Sequence, residues 1–106
     1  MSGKNLERKI RAIFSADVKG YSRLMGDDEE ATVRTLSTYR NAITDLTQQF
    51  RGRIVDSPGD NVLADFSSVV DAVNCAVEIQ RELAERNAEL LDNRKMQFRI
   101  GVNLGD

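Results

Sequence analysis

Every second residue is apolar near both ends of this chain, and this spacing constrains the fold more than any other feature. The pattern covers residues 96–104, and residues 10–16 repeat it. A period of two places the apolar side chains of a strand on one face of a sheet. The spacing therefore predicts a first and a last strand, each with one face against a hydrophobic core.

A long amphipathic helix is predicted after the first strand. From residue 33 to residue 50, apolar residues recur at steps of three and four, which is the spacing of one helix face. The acidic cluster Asp27–Glu30 complements the positive end of such a helix, and Gly52 is placed to terminate it. The segment 17–26 contains two glycines and is predicted to form a turn region.

A hairpin and a second helix are predicted in the middle of the chain. Short apolar runs flank Ser57–Asp60, where Pro followed by Gly suits the two central positions of a type II turn. Ser68 and Asp71 form a pair that resembles a capping box and opens the second helix. This helix is expected to fray into the polar stretch 85–94.

The predicted order is strand, helix, hairpin, helix, strand. This βαββαβ order is typical of the ferredoxin-like fold, an α+β arrangement in which two helices cover one face of an antiparallel sheet. The chain has 106 residues, so it is expected to form at most one domain.

The composition excludes several classes of function. Lys and Arg number 15 and Asp and Glu number 17, and the net charge of −2 offers no electrostatic footprint for nucleic acid or an anionic membrane. No segment approaches the roughly 20 apolar residues of a membrane span, and the single cysteine, Cys75, suggests a reducing, cytoplasmic location. The chain contains no histidine, so any chemistry must rely on carboxylates, hydroxyls, amides, Lys or Arg. A metal, if one binds, is expected to be a hard cation with oxygen ligands.

Two aspartates are predicted to meet at one end of the sheet. In this topology the first and third strands are antiparallel neighbours, so Asp17 at the end of the first strand lies beside the hairpin that contains Asp60. Two facing carboxylates repel each other, and a pair of Mg²⁺ ions would satisfy them. Each aspartate can also be a turn residue that hydrogen-bonds to nearby backbone, and the residues alone leave both interpretations open. The adjacent loop Val18–Ser22 contains Gly20, which permits close approach of the backbone to phosphate oxygens.

Four segments together resemble the catalytic domains of class III adenylate/guanylate cyclases, most closely the bacterial soluble adenylate cyclases. They are FSADVKGYSRL (14–24), GRIVDSPGDNVLADF (52–66), DAVNCAVEIQRELAERN (71–87) and FRIGVNLGD (98–106). They follow the order and spacing of the family, and the similarity covers residues 7–106. The resemblance identifies the chain as the N-terminal part of one such domain.

The resemblance implies a site for metal and triphosphate. Asp17 and Asp60 match the aspartates that bind two catalytic Mg²⁺ or Mn²⁺ ions, and the backbone carbonyl of Val18 matches a further metal contact. Four backbone amides match the loop that holds the β- and γ-phosphates: those of Lys19, Gly20, Tyr21 and Ser22. In such enzymes the ribose 3′-hydroxyl of ATP attacks the α-phosphorus, pyrophosphate leaves, and 3′,5′-cyclic AMP forms for intracellular signalling.

The base that such an enzyme would select stays open. Adenylate cyclases of the family carry a lysine four positions before the second metal aspartate, and guanylate cyclases carry a glutamate, whereas this chain has Asp56. A carboxylate could accept a hydrogen bond from adenine N6 or from guanine N1 and N2, so GTP is an alternative to ATP. Asp56 could also be an exposed strand residue without a role in binding.

The family's domain continues beyond the segment that this chain matches. The continuation supplies a purine-contacting residue and the asparagine and arginine that orient the ribose and stabilise the transition state, and each active site forms between two protomers. Residues 1–106 are therefore expected to be inactive alone. They are also expected to self-associate as a homodimer, because the active site forms between protomers and because residues 96–104 would leave an unpaired strand edge. The alternative is a non-catalytic module of cyclase-like fold with a regulatory or dimerisation role.

Overall fold

The computed structural model describes residues 11–105, which form a four-stranded antiparallel sheet with three α-helices. The elements in chain order are β1 (Arg11–Val18), α1 (Tyr21–Asp27), α2 (Glu29–Gln49), β2 (Arg53–Asp56), β3 (Val62–Phe66), α3 (Val69–Asn87), a 3₁₀ turn (Asp92–Arg94) and β4 (Phe98–Gly105). The strands lie in the order β2-β3-β1-β4. This order confirms the predicted α+β, ferredoxin-like fold, and Ile10, the predicted first residue of the opening strand, lies outside the described residues. Within residues 11–105, no helix has both the length and the apolar character that crossing a membrane requires.

β1 is an inner strand that packs on the core and pairs with a strand on each side. Its alternate residues face the helices and are buried: Ala12, Phe14, Ala16 and Val18. β1 pairs with β3, where Ala16 lies opposite Val62, and with β4, where Asp17 lies opposite Arg99. The end of β1 therefore has a neighbouring strand or turn on both sides.

A short helix, α1, occupies most of the segment for which the sequence predicts a turn, and that prediction is wrong for residues 21–26. Only Lys19 and Gly20 form a turn, in which Gly20 is left-handed with a φ of 67°. Leu24 anchors α1 in the core and is 1% exposed. A helix of seven residues with one buried side chain shows no apolar periodicity, so the spacing could not reveal it. Asp28 is extended, separates α1 from α2, and caps the first turn of α2 with its carboxylate.

The end of α2 differs from the prediction in one detail. The left-handed residue is Arg51, with a φ of 66°, and not Gly52. The Arg51 amide donates to the Gln48 carbonyl at 3.0 Å and the Gly52 amide to the Thr47 carbonyl at 2.8 Å, which is a Schellman arrangement. Glycine is required at position 52 because a Cβ there would lie 2.4 Å from the Phe66 ring.

The turn between β2 and β3 is shifted by one residue from the predicted type II turn. The Asn61 amide donates to the Pro58 carbonyl at 2.8 Å, so Gly59 and Asp60 occupy the central positions. Gly59 has a φ of 55°, which favours glycine. Arg40 of α2 donates a hydrogen bond to the Gly59 carbonyl and ties the turn to the helix layer. Local turn preferences cannot reveal this contact with a distant helix, and a Pro-Gly pair suits either register.

Polar contacts at the end of α3 fix the start of β4. Ser68 precedes α3 and caps it as predicted, since its hydroxyl accepts a hydrogen bond from the Asp71 amide of the first turn at 3.2 Å. At its other end Asn87 is 8% exposed and accepts hydrogen bonds from the Tyr39 hydroxyl at 2.7 Å and from the Met96 amide at 3.0 Å. The Asn87 side chain also donates to the Met96 carbonyl at 2.8 Å. The stretch 85–94 is therefore not simply frayed, because α3 extends to a buried residue and a 3₁₀ turn follows.

The face of the sheet turned away from the helices, called the open face, holds a buried aspartate. Asp65 of β3 is 7% exposed and accepts hydrogen bonds from Arg11 at 2.9 Å and from Arg53 at 3.1 Å. These two arginines lower the pKa of Asp65, and the hydrogen bond from Arg11 is the largest cause. A buried carboxylate is tolerated here because two cations balance it.

We predict opposite effects on stability for two glycine substitutions. Gly52→Ala should lower the free energy of unfolding by about 1–3 kcal/mol, because the new methyl group clashes with the Phe66 ring. Gly26→Ala should leave that free energy unchanged or raise it by up to about 1 kcal/mol, because Gly26 is helical and a Cβ meets nothing within 4 Å. Urea unfolding followed by circular dichroism measures both, and equal effects would contradict the Phe66 contact.

We also predict a pH-dependent effect of Asp65→Asn. A carboxylate whose pKa is lowered on folding adds stability above its unfolded pKa and loses it as the pH falls through the folded pKa. Asp65→Asn should therefore unfold more easily than wild type at pH 7, and the difference should narrow below about pH 3.9. Asp45→Asn is the control because Asp45 is exposed and has no ion pair within residues 11–105. A destabilisation by Asp65→Asn that is the same at pH 7 and pH 3 would exclude this role of the charge.

Candidate active site

The candidate site lies at the end of β1, where the chain leaves the sheet towards α1. Asp17 belongs to the open face, and its side chain is 39% exposed. Val18, the next residue, faces the helices and is buried. The alternation of β1 thus presents a carboxylate to solvent and anchors it through a buried neighbour.

Asp60 lies next to Val18, as the topology predicts. Ala16 pairs with Val62, and continuing this antiparallel register by two residues places Val18 opposite Asp60. The Val18 amide donates a hydrogen bond to Asp60 Oδ2 at 3.0 Å. The structure therefore brings the Asp60 turn to the strand end that carries Asp17.

Arg99 of β4 is a site residue outside the predicted set. Its Nε donates to Asp17 Oδ1 at 2.9 Å and its Nη2 to Asp17 Oδ2 at 3.2 Å. The hydrogen bond with Asp17 is the largest cause that raises the pKa of Arg99, the charge of Asp17 comes next, and the charge of Asp60 adds to the rise. The guanidinium is therefore within electrostatic reach of both aspartates. The sequence contains a signal for it, because the alternation in the last strand places Arg99 on the same face as Asp17.

The four amides of the predicted phosphate loop are not equivalent. The Lys19 amide donates to the Gln97 carbonyl at 2.8 Å and is already paired. The amides of Tyr21 and Ser22 make no backbone hydrogen bond within residues 11–105. The left-handed Gly20 turns the chain so that these two amides open the first turn of α1.

A cleft of about 470 Å³ lies beside this loop. Three cationic side chains and one carboxylate are among its lining residues: Lys19, Arg23, Lys95 and Asp92. Lys95 pairs with Asp92 at 2.9 Å and Arg23 pairs with Asp27 at 3.5 Å, whereas Lys19 forms no ion pair within the part of the chain that the structure describes. The lining is positive although the whole chain carries a net charge of −2, so this surface suits an anion.

Asp56, the candidate for base selection, lies at the end of β2 and is exposed. It stands opposite Leu63 at a shift in the β2–β3 register, and its carboxylate accepts a hydrogen bond from the Ser57 amide at 2.8 Å. Asp56 thus shares the hairpin with Asp60 but makes no hydrogen bond to it.

The donors at this site fit a hard divalent cation. The carboxylates of Asp17 and Asp60 and the carbonyl of Val18 are oxygen donors, which Mg²⁺ and Mn²⁺ prefer. A positive group, Arg99, already balances Asp17, so the position favours positive charge. Residues 11–105 hold no group of three or more histidine, cysteine or acidic side chains that could bind a metal. Two carboxylates are nevertheless enough for Mg²⁺, which usually completes its coordination with water and substrate phosphates.

Comparison with known proteins shows that the chain is similar to nucleotide cyclases. No family model matches the chain. A protein of Rhizobium meliloti (strain 1021) named "Putative adenylate cyclase 3" is 39% identical over an alignment 107 residues long, which covers 100% of this chain and 18% of that protein. The chain thus spans less than a fifth of this curated relative.

Solved structures show the same fold. An adenylate/guanylate cyclase/hydrolase from Silicibacter pomeroyi has a TM-score of 0.82 and 38% identity, and the match covers 93% of this chain and 58% of that one. The guanylyl cyclase Cya2 has a TM-score of 0.78 and 26% identity, with 93% of this chain and 55% of that one covered. By sequence and by fold, the chain is therefore identified as a segment of a class III adenylate/guanylate cyclase domain.

Proposed function

We propose that the protein carrying this chain is a nucleotide cyclase that converts ATP to 3′,5′-cyclic AMP and pyrophosphate with two Mg²⁺ or Mn²⁺ ions. One observation supports the proposal most: the strand end that carries Asp17 lies against the turn that carries Asp60, beside a positive cleft. Acidic oxygen donors for a metal next to a cationic surface for phosphates suit a metal–triphosphate substrate.

Asp17, Asp60 and the Val18 carbonyl would hold the ions. The Val18 amide fixes one oxygen of the Asp60 carboxylate at 3.0 Å and so orients the group while the second oxygen makes no hydrogen bond within residues 11–105. The Asp17 carboxylate would release the Arg99 guanidinium and bind the metal instead. When bound, the two ions would activate the ribose 3′-oxygen and neutralise charge on the phosphate oxygens.

The loop after β1 would hold the triphosphate. The amides of Gly20, Tyr21 and Ser22 would donate to phosphate oxygens, and the Lys19 side chain in the adjacent cleft would add positive charge. The Lys19 amide would contribute only if its bond to Gln97 opened.

The site would be completed by a second protomer, and the protein is proposed to act as a homodimer in the cytoplasm. The residues that orient the ribose and stabilise the transition state are assigned by the resemblance to a segment beyond residue 106. We therefore expect residues 1–106 alone to bind metal and nucleotide without turnover.

GTP is a second candidate substrate because of Asp56. Its exposed carboxylate on the Asp60 hairpin could accept hydrogen bonds from guanine N1 and N2 as well as from adenine N6. A similar structure, Cya2, is named a guanylyl cyclase. Parallel assays with ATP and GTP separate the two substrates.

We predict that Asp17→Asn and Asp60→Asn in the longer protein each lower cyclic nucleotide formation at least about a hundredfold, since each removes a ligand of the catalytic metals. Asp45→Asn is the matched control, because Asp45 is an exposed aspartate on α2, and its activity should stay within about twofold of wild type. Mass spectrometry of the products formed from ATP and from GTP, with Mg²⁺ or Mn²⁺, measures the effect.

Three results would each contradict a part of the proposal. Activity that survives either Asp17→Asn or Asp60→Asn would exclude the assigned metal ligands. Absence of any cyclic product from the longer wild-type protein with both nucleotides would favour a regulatory or dimerisation module. Robust turnover by residues 1–106 alone would contradict the expected need for a further segment.

A further inference from the structure

Within residues 11–105, the counter-ion of Asp17 is a single arginine on an exposed surface. Arg99 contacts both carboxylate oxygens, and the side chains of Arg99 and Asp17 are 68% and 39% exposed. The pair lines a shallow depression of about 390 Å³ on the open face, together with Ser15, Gly101 and Asn103. A Cβ on Gly101 would meet nothing within 4 Å, so the surface beside the guanidinium is open. The guanidinium therefore has room to leave Asp17.

Asp65, the other ion-paired aspartate described on the open face, differs from Asp17 in its burial and in its number of partners. The side chain of Asp65 is only 10% exposed and is shared by Arg11 and Arg53. Losing both arginines would leave a buried, uncompensated charge, so this cluster must persist in the folded chain. Asp17 has one arginine partner among the described residues and direct access to solvent, so this partner can be exchanged without such a penalty.

We propose that Arg99 and a divalent cation bind Asp17 in alternation, so that the guanidinium occupies the carboxylate until a metal displaces it. This proposal rests on the proposed function, because it requires Asp17 to be a metal ligand. A doubly charged ion on Asp17 would repel a guanidinium that contacts both oxygens of the same carboxylate. An exposed ion pair contributes little, so this repulsion is enough to release Arg99. Arg99 is thus a positioning residue that orients Asp17 in the metal-free protein and sets its affinity for metal.

The first test is the affinity for Mn²⁺ of residues 1–106, measured by electron paramagnetic resonance of the free ion. Arg99→Ala should bind Mn²⁺ about two- to tenfold more tightly than wild type, because the metal no longer competes with the guanidinium. Arg99→Lys should lie between them, since it keeps the charge and loses the two-point contact. The difference should shrink at high salt, where exposed charges are screened.

Arg53→Ala is the matched control. Arg53 is also an exposed arginine of the open face, with 74% side-chain exposure, and it also pairs with an aspartate. It should leave the Mn²⁺ affinity unchanged, because Asp65 is not an assigned metal ligand. Circular dichroism and a thermal melt confirm that each variant is folded.

The second test follows the arginine itself by NMR. Addition of Mg²⁺ should shift the Nε–H signal of Arg99, which donates to Asp17, and leave that of Arg11, which donates to Asp65 at 3.3 Å, unchanged. A residue that only stabilised the strand pair would not respond to the ion.

The outcomes separate this proposal from the function on which it rests. If wild type binds Mn²⁺ in a manner that Asp17→Asn abolishes, and folded Arg99→Ala binds equally or more weakly, the alternation is excluded and the metal site stands. If neither wild type nor Arg99→Ala shows binding that depends on Asp17, the metal site and the alternation both fail.

Discussion

The antiparallel pairing of β1 with two neighbours is the constraint on which the rest of the structure depends. Because β1 lies between β3 and β4, its last two residues meet the Asp60 turn on one side and Arg99 on the other. An edge strand would meet only one of them. The burial of Val18 fixes the register, since a slip by one residue would turn Asp17 towards the helices.

The two aspartates of the open face illustrate how burial separates a structural role from the functional role that we propose for Asp17. Asp65 is nearly enclosed and has two arginines, so its charge is part of the folded state. Asp17 is more exposed and pairs with one arginine within residues 11–105, so this partner adds little stability and can be replaced. Asp60 is different again, because a backbone amide of the neighbouring strand holds one of its oxygens. The proposed metal site is therefore built from carboxylates whose partners hold them in place without enclosing them.

The strands, the long helices and the meeting of Asp17 with the Asp60 hairpin could be predicted from the sequence, because they follow from apolar periodicity and from the rules of strand order. The features that could not be predicted depend on contacts between distant segments. Position 52 is restricted to glycine because a side chain there would clash with the Phe66 ring. The hairpin turn is held by a hydrogen bond that Arg40 of the helix layer donates to it. The partner of Asp17 lies 82 positions away: the alternation of the last strand places Arg99 on the correct face, but only the register of β1 with β4 places it opposite Asp17.

The most direct test of the central claim is the binding of a non-hydrolysable ATP analogue to residues 1–106 by titration calorimetry, with and without Mn²⁺. A site in which Asp17 and Asp60 hold the metal predicts that binding requires Mn²⁺ and is lost in Asp17→Asn and in Asp60→Asn, while Asp45→Asn binds as wild type does. Metal-dependent binding that survives both substitutions at the site would contradict the account.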